Sequence, residues 1–199
     1  MSPLNPLPFA TYAFVMAITP GPNNVMLTTA GVHFGFRRTV PHILGISVGL
    51  AALLALSCAG LGALFTRWPV LHTALEWAGA AYLLYLGWRL LGAGAIKAGE
   101  AARPISFTEA AGFQFLNPKA WVICLTGAAL FLPADRGLLA GCLFLVPISL
   151  LVSPPCSAVW ALFGSSMRRL LQHPRPRRLF NGVMAVALAV TGVMMVLPA

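Results

Sequence analysis

Thr19-Pro-Gly-Pro-Asn-Asn24 and Asn117-Pro-Lys119 are the two stretches of this chain whose residue types and spacing point to ligand chemistry. Pro20 and Pro22 lack backbone donors. They therefore free the carbonyls of Met16 and Ile18, and they push the residues before them, Thr19 and Gly21, toward extended conformations. A helix restart near Pro22 is predicted. Its unpaired N–H groups and positive dipole end suit an anion, while the loose carbonyls before it suit a cation. Together they match the carboxylate and ammonium of an amino acid. Asn117-Pro118 reads as a second helix start, with Asn as the cap and Pro at the first helical position, and Pro118 frees the carbonyl of Gln114. The plainer alternative for the first stretch is a proline-kinked helix whose freed groups are satisfied by neighbouring helices.

The elements that position these stretches follow from composition. The chain has 199 residues, 59% apolar and 9% charged, with a mean hydropathy of +0.85, whereas soluble domains are roughly half apolar and about one quarter charged. An all-α integral membrane protein is expected. Apolar segments of roughly 20 residues, the length that crosses a bilayer core, recur at about Leu7 to Ala30, Pro41 to Phe65, Val70 to Leu91, a segment ending near Leu132, Leu138 to Gly164, and Leu179 to Leu197. They make one transmembrane domain over residues 1–199. No Lys or Arg precedes the first segment and no clean small-residue cleavage site follows it, so it is read as a membrane helix rather than a signal peptide. The net charge of +9 is explained by placement. Arg37, Arg38, Arg89, Lys97, Arg103, Arg168, Arg169, Arg175, Arg177 and Arg178 fall in odd-numbered loops, and only Arg67 and Arg136 in even ones. The positive-inside rule then makes the odd loops cytoplasmic and both termini external, with the lipid bilayer rather than nucleic acid as the partner.

Three crossings per half require any internal repeat to be inverted. Phe9 stands eleven residues before Pro20, and Phe107 eleven before Pro118. At that offset Thr19-Pro20 falls on Asn117-Pro118, which predicts two inverted three-helix repeats, about 1–95 and 104–199, with helices 1 and 4 broken by proline and a substrate site between the breaks. Two depths remain open for Lys119. In a broken span from Ile105 to Leu132 it lies near the midplane, beside a positive dipole end, as a carboxylate site. In a span that begins at Asn117 it is an anchor snorkelling to cytoplasmic headgroups.

The remaining candidates divide by depth. Glu76, six residues after Val70, is either a carboxylate inside the hydrocarbon core, suited to proton coupling, or an interfacial residue. Glu109 is either a second coupling carboxylate or a complement to the dipole at the start of the fourth element. Glu100 and Asp135 read as loop and turn residues. His33, His42, His72 and His173 read as wet loop histidines, since no metal-ligand cluster accompanies them. Cys58, Cys124, Cys142 and Cys156 contain no Cys-x-x-Cys pair and read as packing residues. Gly45-x-x-x-Gly49 permits close helix packing, within the chain or across a homodimer. Pro147, Pro154 and Pro155 are expected to bend the fifth helix or break its end, which makes it a second cavity-lining element.

Thr19-Pro-Gly-Pro-Asn-Asn24 with Gly35-Phe-Arg-Arg38, Ala78-Gly-Ala-Ala-Tyr82 with Leu86-Gly-Trp-Arg89, and Phe115-Leu-Asn-Pro-Lys119 resemble, in order along nearly the whole chain, the LysE/RhtB amino-acid exporter family. Within it the chain is most similar to the cysteine and O-acetylserine exporter subgroup. The resemblance implies a secondary transporter, not an enzyme, that exports amino acids across the bacterial inner membrane on an electrochemical gradient and needs no cofactor or metal. Many relatives carry Asp where this chain has Asn23, so any carboxylate-based role at that position does not transfer. Combined with the residues, the resemblance assigns the substrate to Thr19, Pro20, Gly21, Pro22, Asn23, Asn24, Asn117, Pro118 and Lys119, with alternating access about them. Two rival classes are a membrane-embedded thiol-redox carrier and a passive channel or structural membrane partner.

Overall fold

The computed structural model describes residues 5–60, 67–91, 103–132, 137–168 and 170–196. The side chain of Glu76, and Lys97, Glu100, Asp135, Arg136 and Arg169 entirely, lie outside the described residues, as does the side chain of His72. The described chain is helical: α1 Leu7–Ile18, α2 Pro22–Phe34, α3 Phe36–Cys58, α4 Pro69–Leu91, α5 Phe107–Phe113 followed by a 3-10 turn Gln114–Leu116, α6 Pro118–Phe131, α7 Gly137–Met167, and, after a second 3-10 turn, α8 Pro174–Val196. Two of these helices, α3 and the stretch Leu139–Met167 of α7, are long and apolar enough to cross a membrane, and α1 and α6 are shorter apolar helices.

Two helices start earlier than their hydropathy suggests. A single residue, Gly35 at φ +78°, turns α2 into α3, so Arg37 and Arg38 lie on the first turn of α3 rather than in a loop. Pro41 sits inside the helix. Likewise α8 begins at Pro174 and carries Arg175, Arg177 and Arg178 on its opening turns. The earlier start of α3 overturns the wet-loop assignment of His42, which is fully buried beside Thr39. Neither of its ring nitrogens has a hydrogen-bond partner among the described residues. His33, near the end of α2, is half-buried, and His173 is exposed. The prolines of α7 leave it one continuous helix of 31 residues.

The helices pack backbone against backbone where small residues allow it. A Cβ at Gly45 would run into the carbonyl oxygen of Phe107 and one at Gly49 into that of Ala111, so α5 lies directly on α3. The Gly45-x-x-x-Gly49 face is therefore consumed inside the chain. Further along α3, Leu53, Leu54 and Cys58 form a core with Ala120, Trp121 and Cys124 of α6, Leu145 of α7 and Phe9 of α1. A second core joins Leu27, Ile43, Ile46, Ala110 and Ala161, and a third joins Met26, Leu83, Phe113 and Leu188.

Two pairings run antiparallel. Along α3 and α7, Ser47 Oγ lies 3.2 Å from Ser153 Oγ, and Cys142 Sγ donates to Ala55 O at 3.8 Å. Along α4 and α8, Gly87 packs on Ala185 and Ala80 on Gly192.

Candidate functional site

The first break spans Thr19 to Gly21. Thr19 is extended (φ −65°, ψ 135°), and so is Gly21 (φ −177°, ψ −179°), as expected for residues that precede proline. The end of α1 is closed by its own chain: the Thr19 amide donates to Val15 O at 3.1 Å, and the Thr19 hydroxyl donates to the same oxygen. Asn24, 5% exposed, reaches back across the break from the first turn of α2. Its Nδ2 donates to Ala17 O at 3.2 Å and to Thr19 O at 2.7 Å. This one amide supplies donors that two helical residues would otherwise have provided, which is how an interrupted helix stays satisfied away from water.

The second break is built differently. Asn117, 2% exposed, caps α6: its Oδ1 accepts from the Lys119 amide at 3.1 Å, and its carbonyl accepts from Ala120 and Trp121. The Asn117 amide in turn donates to Gln114 O at 3.3 Å.

The two breaks meet. The ammonium of Lys119 donates to Thr19 O at 2.6 Å and Pro20 O at 3.2 Å, a bridge between residues about one hundred apart in sequence. Gly21 makes room for it, because a Cβ there would stand 2.8 Å from Lys119 Cδ. Beside this contact Asn23 and Gln114 pair their amides, with Asn23 Nδ2 donating to Gln114 Oε1 at 2.8 Å and Gln114 Nε2 returning to Asn23 Oδ1 at 3.2 Å. Gln114 is fully buried, and its Nε2 also reaches Ala110 O at 2.9 Å.

A cavity of about 50 Å³ opens between the breaks. Gly21, Asn23, Asn24, Asn117 and Lys119 line it on one side, and Ser149, Ser153 and Ser157 of α7 line it on another. The three serines are each nine-tenths or more buried. Their spacing of four puts them on one helix face. Among the described lining residues there is no carboxylate, so Lys119 is the formal charge of the cavity. Of the residues expected at the site, Thr19 and Pro20 are present through their carbonyls, Gly21, Asn23, Asn24, Asn117 and Lys119 through the cavity wall, and Pro22 and Pro118 as the first residues of α2 and α6.

Glu109 lies elsewhere. It makes a two-pronged ion pair with Arg103, both contacts at 2.6 Å, and completes a capping box with Ser106 at the start of α5. No group of three or more His, Cys, Asp or Glu residues is arranged to hold a metal among the described residues. All four cysteines are free thiols, and Cys124 borders the cavity.

Gln114 and the α7 serines were not singled out from sequence. The signal was present in the Ser149-x-x-x-Ser153-x-x-x-Ser157 spacing and in a glutamine four residues before a helix-opening proline.

Comparison with known proteins gives the same kind of molecule. The chain is 30% identical over 174 residues to proteins called cysteine/O-acetylserine efflux protein in Salmonella typhimurium (strain LT2) and Shigella flexneri, covering 87% of this chain and 89% of each relative. A protein of the same name in Escherichia coli O139:H28 is 30% identical over 166 residues, 83% of this chain and 85% of the relative. No solved structure matches. The model of the family described as LysE type translocator matches residues 14–198, and the chain belongs to that family.

Proposed function

We propose that this protein exports small neutral amino acids or their close derivatives, of the cysteine and O-acetylserine kind named for its relatives, across the bacterial inner membrane by alternating access. The observation that carries this is the Lys119 ammonium seated on the carbonyls of Thr19 and Pro20. The first break accepts an ammonium at its carbonyl end. Next to it, the start of α2 at Pro22 to Asn24 and the charge of Lys119 provide for a carboxylate. A zwitterion needs both: Asn23, Asn24 and Lys119 line the cavity, and the carbonyls of Thr19 and Pro20 join it through their bonds to Lys119.

In this reading six crossings are made by α1 with α2, by α3, by α4, by α5 with α6, by α7 and by α8. The antiparallel contacts of α3 with α7 and of α4 with α8, and the meeting of Gly21 with Lys119, are what an inverted repeat calls for, because each pair occupies matching positions in the two halves. The halves rock about the breaks. The arginines opening α3 and α8 face the cytoplasm, which leaves both termini outside. The proton gradient drives export, with Glu76 the first carboxylate to test and Glu109 the next.

The test is counterflow in liposomes with labelled cysteine, O-acetylserine, threonine and lysine, beside the doubly substituted Pro22→Ala, Asn23→Ala protein. Selective exchange of one or two solutes, lost in the double variant, is the expected result. A folded protein that exchanges none of them removes the amino-acid assignment.

A further inference from the structure

We infer that the carbonyl pair of Thr19 and Pro20 is an ammonium site that Lys119 fills when no substrate is bound, so that a substrate ammonium enters by displacing this tethered one. The inference rests on the exporter reading for the identity of the displacing ligand, but not for the site itself.

Three features of the breaks converge on it. The two oxygens lie just past the C-terminus of α1, where the helix dipole and the donor-poor Thr19-Pro-Gly-Pro22 backbone concentrate negative potential. Both accept from one ammonium, at 2.6 and 3.2 Å, Thr19 O beside its bond from Asn24 Nδ2. Secondly, the cavity has no carboxylate among its described lining residues to hold either the lysine or a substrate amine. The carbonyls are the cation's partners, and two cations cannot share them. Thirdly, the free volume of about 50 Å³ is small beside the cavity of about 150 Å³ that admits a benzene-sized ligand. An amino acid fits only after the lysine side chain has swung out. That swing carries a positive charge toward the substrate's carboxylate, so one movement empties the ammonium seat and supplies the counter-charge.

The exchange also explains how an unloaded carrier returns. With Lys119 in the seat the break holds an ammonium whether or not substrate is present, so Pro20 O keeps a donor during reorientation, as Thr19 O does from Asn24 as well. The ligand class is a primary ammonium, which has three N–H donors for such a seat. A quaternary ammonium has none.

The experiment is a thermal melt of detergent-solubilised Lys119→Ala protein with ethylammonium or tetramethylammonium chloride at equal ionic strength. Ethylammonium is expected to raise the melting temperature of Lys119→Ala by several degrees, through binding to the folded state alone, with no comparable effect on wild type or from tetramethylammonium. Equal shifts in wild type and variant, or none in the variant, overturn the inference. Should Lys119→Ala not fold, Lys119→Met retains the aliphatic bulk, and methylammonium then replaces ethylammonium with the same outcomes. Amine stabilisation in a protein that moves no amino acid keeps the seat and removes the exporter reading. Amino-acid counterflow without amine stabilisation does the reverse.

Discussion

Asn23 and Gln114 face each other with their amides paired head to tail, 2.8 Å in one direction and 3.2 Å in the other. Ninety-one positions separate them in sequence, yet they fix the start of α2 against the turn that precedes α6. Replacing Gln114 by Leu leaves the Asn23 amide unpaired in a largely dry site, at a cost of about 1–3 kcal/mol. Asn23→Leu is expected to cost a similar amount. The double variant should be less destabilised than the sum, by at least about 0.5 kcal/mol. Chemical denaturation of the four proteins in one detergent measures this, and strict additivity would deny the pairing.

Gly21→Ala tests the lysine bridge without touching the lysine. Its backbone is extended, so alanine meets no conformational strain there. The new Cβ does meet Lys119 Cδ at 2.8 Å and pushes the ammonium off its carbonyls. Transport is expected to fall about tenfold, the effect of roughly 1.4 kcal/mol, while the melting temperature moves little. Unchanged counterflow would show that the close approach has no part in the cycle.

The α7 serines are expected to separate by role. Ser153 shares a hydrogen bond with Ser47, so Ser153→Ala should cost about 1 kcal/mol of stability. Ser149 and Ser157 line the cavity and make no hydrogen bond among the described residues. Their alanine variants should melt like wild type while changing the ratio of exchange rates between hydroxylated and apolar amino acids. Identical ratios in all three variants would place the substrate side chain elsewhere.

Replacing Cys58, Cys124, Cys142 and Cys156 together by Ala should leave counterflow within about threefold of wild type, since small apolar packing of this sort is worth on the order of 1 kcal/mol per site or less. Loss of function in a folded quadruple variant would instead favour thiol chemistry at Cys124, the cysteine that borders the cavity.

The parts of this site that could be read from sequence are those that local chemistry dictates. Proline has no amide to donate, and α2 and α6 begin at Pro22 and Pro118. Asn117 stands before a proline and caps. The long-range parts carried no local sign of which residues they would meet. Lys119 could be read as a midplane carboxylate site or as a headgroup anchor, and neither reading named the contact its ammonium makes with the other break. Gln114 entered only as a carbonyl freed by Pro118, although its side chain carries the contact to Asn23. His42 followed two arginines and a proline, which look like a loop. The close packing of α5 at Gly45 and Gly49 and the one-residue turn at Gly35 extend the helix through them.

Arg37 and Arg38 open α3, and Arg175, Arg177 and Arg178 open α8. Each stands at the helix end where a cation is disfavoured, by about 0.3–1 kcal/mol before screening, and Arg38 is offset in part by the Phe34 ring 5.7 Å away. Anionic headgroups are the natural complement to such a row. Glu109, the carboxylate described here, is already paired with Arg103. Acidic phospholipid against these two helix ends would supply a counter-charge, tying the integrity of two helices to the composition of the lipid around them.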